Sequence, residues 1–178
     1  MTYFINLLTL SRIFIAAVIF LLLTRPEGYL LAFTLFFVAG ATDYFDGYLA
    51  RKYNLTSEIG EILDPIADKI LIVFVLFGLS VNLTSYFIAF MASLIITREI
   101  WVGALRDFNA RQGRSGATKV TFLAKIKTTI QLFTITVYLL GLTLNNMLLI
   151  LFGDMFLFLS LLITIYTGYI YSYNSFKN

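Results

Sequence analysis

Six apolar runs, at roughly 8–24, 29–50, 62–81, 86–105, 120–143 and 147–171, follow one another along the chain with polar junctions between them. A helix crosses the hydrocarbon of a bilayer in about 20 residues, so each run has the length of a span. The punctuation agrees: Arg25-Pro26-Glu27-Gly28, Lys52 to Glu58, Asn82 to Ser85 and Asn145-Asn146 each separate neighbouring runs, and 106–119 is the longest polar connection. With 60% hydrophobic and 13% charged residues, a chain of 178 residues has too little polar surface to clothe a soluble fold. The expectation is an all-α integral membrane protein with six transmembrane helices. These form a single domain over 1–178, with a short N-terminal segment at 1–7. No internal repeat is visible, and the start lacks the basic region that opens a cleaved signal.

Orientation follows from the basic residues, which are retained on the cytoplasmic side. Arg51 and Lys52 lie between the second and third runs; Arg106, Arg111, Arg114 and Lys119 lie between the fourth and fifth, and Lys177 near the end. These junctions share one side, whereas the other side has Arg25 offset by Glu27. Both termini and the basic junctions are therefore expected to be cytoplasmic.

Cysteine and histidine are absent, which removes thiol and imidazole chemistry and leaves carboxylates as the metal ligands and bases. Four of them stand inside apolar runs: Asp43, Asp46, Asp64 and Asp68. An ionisable residue at mid-membrane costs about 2.5 kcal/mol or more, so four in adjacent helices need a compensating partner. Asp43 and Asp46 are three apart and Asp64 and Asp68 four apart, so each pair lies along one helical face. A short connection makes the two helices antiparallel neighbours, which brings the pairs toward one small volume. Two divalent ions would cancel four carboxylates, and oxygen ligands favour Mg²⁺ or Mn²⁺, the arrangement that clamps both oxygens of a phosphoryl displacement. Gly47, Ala50 and Gly60 leave room for a substrate beside the acids, and Arg51 has the planar fork that grips a diphosphate. Two other readings compete: acids paired with Arg51, Lys52 and Lys69 merely to pack helices, and an ion or proton pathway of a transporter.

The spacing Asp43, Asp46, Gly47, Ala50, Arg51, Gly60, Asp64, Asp68 resembles the signature D-x2-D-G-x2-A-R-x8-G-x3-D-x3-D of the CDP-alcohol phosphotransferases at every fixed position. Asn6-Leu7-Leu8-Thr9 with Arg12 is similar to the N-terminal segment of that family, with Ile5 where a proline is often found. The resemblance implies six membrane helices, a homodimer, two metal ions on the four aspartates, and Asp68 as general base. It implies contacts of Asp43, Asp46, Gly47, Ala50, Arg51 and Gly60 with the cytidine diphosphate. The stretches Leu63 to Lys69, Arg98-Glu99-Ile100, Ala104-Leu105-Arg106 and Lys125 to Thr129 with Gln131 are most similar to members that use sn-glycerol 3-phosphate as acceptor. Members that make cardiolipin share several of them.

The implied reaction displaces CMP from CDP-diacylglycerol in a bacterial cytoplasmic membrane, with the site at the cytoplasmic face and membrane lipids as neighbours. No nucleic-acid partner is expected. A phosphorylated acceptor needs fixed cations, and Arg106, Arg111, Arg114, Lys119, Lys125 and Lys127 lie on the same side as the acids. Orientation and anionic headgroups also call for basic residues there, so composition leaves each of the six open between the two roles.

Overall fold

The computed structural model describes residues 2–53, 58–118 and 122–177, without the side chains of 2–6, 44, 46–53, 58–59, 61–62, 115, 117 and 124–125. The described residues are helical: α1 (Thr2–Leu22), α2 (Tyr29–Tyr53), α3 (Glu58–Asn82), α4 (Tyr86–Arg111), α5 (Phe122–Thr143) and α6 (Met147–Phe176), with short 3₁₀ turns at Pro26–Gly28 and Ser115–Thr118.

Local chemistry explains the ends. Ser85 caps α4 by accepting from the Ile88 amide at 3.3 Å, and Asn146 caps α6 through the Leu148 amide at 3.0 Å. Helices α3, α4 and α5 close with a left-handed residue, Thr84 (φ 49°), Gly113 (φ 69°) and Asn145 (φ 48°). The following amide bonds back across the last turn, as Asn146 N does to Gly141 O at 2.8 Å. Helix α4 runs beyond the apolar stretch to Arg111, because nothing before Gly113 breaks it. Helix α1 begins at Thr2 rather than after a separate segment at 1–7. The polar residues Thr9 and Arg12 turn inward to partners on other helices and so do not interrupt it.

The core forms where helical stripes at three- and four-residue spacing meet: Ala16, Ile19 and Leu23 of α1, Ala32, Phe36 and Ala39 of α2, Leu71, Val75 and Leu79 of α3, Ile88, Ala92 and Ile95 of α4, Ile135, Leu139 and Leu142 of α5, and Leu157 and Leu161 of α6. Helix α1 packs most extensively on α3 and α2, α5 on α6, and α4 on α6 and α3. Polar bonds join α4 to α6 near their C-terminal ends: Trp101 Nε1 donates to Ser172 Oγ at 2.8 Å, and Asn109 Nδ2 to Ser175 Oγ at 2.7 Å. Asn82 Nδ2 ties α3 to the other end of α1 and α2, donating at 2.7 Å to both Leu23 O and Tyr29 Oη.

Large apolar side chains such as Leu148, Phe152, Met155, Leu159, Leu162 and Tyr166 face outward along α6, a surface suited to lipid. Among the described residues, Tyr86–Arg111, Ile126–Thr143 and Met147–Phe176 are long and apolar enough to cross a membrane, and Leu7–Leu22 is a shorter apolar helix. The expectation of six spans is therefore met at the level of three. Each remaining helix carries a charge of the aspartate cluster within it: Arg12 in α1, Asp43 in α2, Asp64 and Asp68 in α3.

Candidate functional site

The packing of α1 against α2 and α3 draws three of the aspartates around one cation. Arg12, fully buried on α1, points its guanidinium between the two acidic helices: Nη1 pairs with Asp43 Oδ1 and with Asp68 Oδ1 at 2.7 Å, and Nη2 with Asp64 Oδ1 at 3.3 Å. Thr9, one turn earlier on the same face and also buried, donates Oγ1 to Asp64 Oδ1 at 2.7 Å. Sequence reasoning placed Thr9 and Arg12 in the N-terminal segment and not in the site. The signal was a lone arginine in an apolar run, which needs a counter-charge inside the membrane.

The donor chemistry can be tested against a metal. Among the described residues no three acids stand as a preformed metal cage; the oxygens of Asp43, Asp64 and Asp68 meet at the guanidinium instead. Each of these side chains is nevertheless about half exposed, at 48%, 47% and 49%. Three carboxylates around one guanidinium keep excess negative charge and open hard-oxygen donors, which fits a divalent metal ion.

Asp68 also lines a cavity of about 600 Å³ between α3, α4 and α5. Its other polar lining is Lys69, Arg98, Glu99, Arg106, Lys127, Thr128, Thr129 and Gln131, while Ile72, Val73, Ile95, Ile96 and Ile100 make its apolar part. The cations are held in a network. Glu99 accepts from Arg98 Nη1 at 2.8 Å and from Lys127 Nζ, so one carboxylate fixes two cations from two helices. Arg98 Nη2 donates to Thr167 Oγ1 of α6 at 2.6 Å. The arginine lies across Gly168, where an added Cβ would sit 3.1 Å from its Cγ and 3.2 Å from its Nε, so any side chain there would crowd it. The guanidinium carbons of Arg98 and Arg106 each lie 5.8 Å from the centre of the buried Tyr171 ring, within range of a cation–π attraction.

The residues expected at the acceptor end divide. Arg106 and Lys127 line the cavity with Asp68. Arg111 does not; it pairs with Asp107 at 2.8 Å on an exposed helix face, and Arg114, also exposed, pairs with the Gln112 side chain. Gly60 is buried one turn before Asp64 on α3. Asp46, Gly47, Ala50 and Arg51 lie on α2 and Lys125 on α5, with their side chains outside the described residues, and Lys119 lies outside them altogether. Arg98, Glu99 and Gln131, which the sequence offered only as shared stretches, stand in the cavity wall. Their signal was charge and amide polarity within apolar helices.

Comparison with known proteins agrees with this geometry. The model of the CDP-alcohol phosphatidyltransferase family matches residues 3–166. The chain is 40% identical over 169 residues to a CDP-diacylglycerol--glycerol-3-phosphate 3-phosphatidyltransferase of Rickettsia bellii, covering 93% of this chain and 91% of that one. A protein of the same name from Rickettsia typhi is 38% identical over 175 residues, covering 93% of each chain. The Escherichia coli K12 protein of that name is 35% identical over 129 residues, or 71% of each chain. Members of the family generally use divalent metals. The match runs through all six helices and includes the aspartates, Arg12 and the cavity wall: the chain belongs to the CDP-alcohol phosphatidyltransferase family.

Proposed function

We propose that this chain transfers the phosphatidyl group of CDP-diacylglycerol to sn-glycerol 3-phosphate, forming phosphatidylglycerol phosphate and CMP. The observation that carries the reading is the cavity that joins Asp68 to Arg98, Arg106 and Lys127. It sets a carboxylate fit to take a hydroxyl proton against cations fit to hold a phosphate dianion. The relatives named for this reaction support the same acceptor.

In this reading Arg98, Arg106 and Lys127 bind the acceptor's phosphate and aim its primary hydroxyl at the donor. Asp68 takes the hydroxyl proton as the oxygen attacks the phosphatidyl phosphorus. The new P–O bond forms, and the bond from that phosphorus to the bridging oxygen breaks, so that CMP leaves with the electron pair. Asp43, Asp46, Asp64 and Asp68 would hold two Mg²⁺ or Mn²⁺ ions, which supply charge neutralisation on the diphosphate. Gly47, Ala50 and Gly60 leave room for the cytidine diphosphate and Arg51 grips it. The apolar wall of the cavity suits a donor whose acyl chains stay in lipid. The whole chain acts as one membrane domain of six spans in the bacterial cytoplasmic membrane, as a homodimer, with termini and site on the cytoplasmic side. All six helices have 21 residues or more, about 30 Å of helix, which is enough to span.

Purified protein with Mg²⁺ or Mn²⁺ and CDP-diacylglycerol is expected to release CMP on addition of sn-glycerol 3-phosphate, and not with phosphatidylglycerol, inositol phosphate or serine. Release with phosphatidylglycerol alone would replace the acceptor by that of a cardiolipin-forming enzyme. Cation or proton flux in liposomes without nucleotide, and no CMP release, would replace the enzyme by a transporter.

A further inference from the structure

The cavity beside Asp68 has two chemically different ends. On α3 its polar lining, Asp68 and Lys69, comes one turn before its apolar lining, Ile72 and Val73. Helix α4 returns antiparallel after a short connection and reverses the order: Ile95 and Ile96 come first, then Arg98, Glu99 and Arg106. Polar groups therefore collect at one end and branched aliphatic ones at the other, and Ile95 and Arg106 stand about 16 Å apart along the helix. Ile100, 69% exposed, carries the apolar lining to the outer face of α4, a helix long and apolar enough to cross a membrane. At about 600 Å³ the cavity has the size of sites that take much larger molecules than a three-carbon phosphate. A water-soluble acceptor uses the polar end alone.

Charge at the polar end selects a headgroup. Among the described lining residues, Lys69, Arg98, Arg106 and Lys127 stand against the carboxylates of Asp68 and Glu99, an excess of two positive charges. A phosphomonoester carries about two negative charges at neutral pH and matches that excess, whereas a phosphodiester carries one. A chain that enters the apolar end from the bilayer passes from one apolar medium to another, so the headgroup supplies the affinity. Resting on the functional reading above, we propose that the cavity also binds a phosphomonoester lipid of the phosphatidate class. Its phosphate sits among the four cations and one acyl chain lies along the isoleucine wall. Such a lipid takes the acceptor's phosphate site and the path of the donor's chains together, and so inhibits by excluding glycerol 3-phosphate.

The test is CMP release by the purified protein in mixed detergent micelles, with Mg²⁺ or Mn²⁺ in excess and dioleoyl phosphatidate at the mole fraction of CDP-diacylglycerol. Phosphatidate is expected to raise the apparent KM for glycerol 3-phosphate about fivefold or more, competitively. Phosphatidylglycerol at twice that mole fraction matches the surface charge as a diester, and diacylglycerol supplies chains without phosphate; each is expected to change the KM by less than about twofold. Ile96→Trp narrows the apolar end and is expected to raise the ratio of the phosphatidate inhibition constant to the variant's own KM about fivefold. Equal inhibition by either control lipid, no inhibition by phosphatidate, or an unchanged ratio in Ile96→Trp overturns the proposal and leaves the functional reading in place. Absence of CMP release with glycerol 3-phosphate overturns that reading, and the proposal with it.

Discussion

Arg12 Nη1 on α1 donates to Asp68 Oδ1 on α3 at 2.7 Å, and the same nitrogen pairs with Asp43 on α2, so one guanidinium ties three helices together. Arg12→Met keeps an unbranched apolar stem and removes the guanidinium, leaving Asp43, Asp64 and Asp68 to repel one another. The carboxylates are half exposed, so solvent screens part of the loss; about 2 kcal/mol of stability is expected to go. Thermal unfolding in detergent should show the lower Tm, and Mn²⁺ should raise the variant's Tm more than the wild type's. An unchanged Tm with and without Mn²⁺ would mean that the cluster contributes nothing to folding.

Asp68 stands in both the carboxylate cluster and the cavity, which is the position a proton acceptor requires. Asp68→Asn preserves the shape and removes the base. CMP release is expected to fall by about 10²–10⁴-fold while the protein elutes and melts as a folded species. Turnover near the wild-type rate would dismiss Asp68 as the base.

The cations of the α4–α5 region should separate by kinetics. Lys127→Ala or Arg106→Ala is expected to raise the KM for glycerol 3-phosphate about tenfold or more with a smaller change in kcat, the mark of a lost ground-state contact. Arg111→Ala and Arg114→Ala should stay within about twofold, because Arg111 is 78% exposed and pairs with Asp107 away from the cavity. Equal effects from all four would point to the field of the basic junction rather than to a site.

At the other end of the bundle, Tyr138 donates Oη to Asp154 Oδ1 at 2.6 Å, satisfying a carboxylate inside α6, and its ring lies on Gly153. A Cβ at Gly153 would stand 2.7 Å from that ring, so Gly153→Ala is expected to cost about 1–3 kcal/mol by overpacking. Tyr138→Phe should cost a similar amount by stranding the acid. Combined with Asp154→Asn it should be less than additive in thermal unfolding, whereas strict additivity would show that the two residues do not interact.

Much of the molecule is readable from the chain. Helix periodicity and turn chemistry are local, so the six helices begin and end within six residues of the apolar runs, and the signature aspartates point to phosphate chemistry before any packing is considered. The partner of those acids is not readable in this way. Arg51, Lys52 and Lys69 are the neighbours in sequence, yet among the described side chains the cation that packing sets between Asp43, Asp64 and Asp68 is Arg12, 31 residues before the nearest of them. Pairing across helices depends on which faces meet, and that is a property of the bundle.

The acceptor end makes the same distinction. Arg106 and Arg111 belong to one basic junction and are equivalent by composition. Five residues of α-helix rotate the second about 140° from the first, so only one can face a given cavity. The sequence by itself determined the helices, the acidic signature and the basic junctions, because these follow from local hydrophobicity, spacing and charge. Only the tertiary structure decided that Arg12 sits among the aspartates, that Arg106 and Lys127 share a cavity with Asp68 while Arg111 turns away, and that Gln131 is buried there, because helix rotation and packing select which side chains converge.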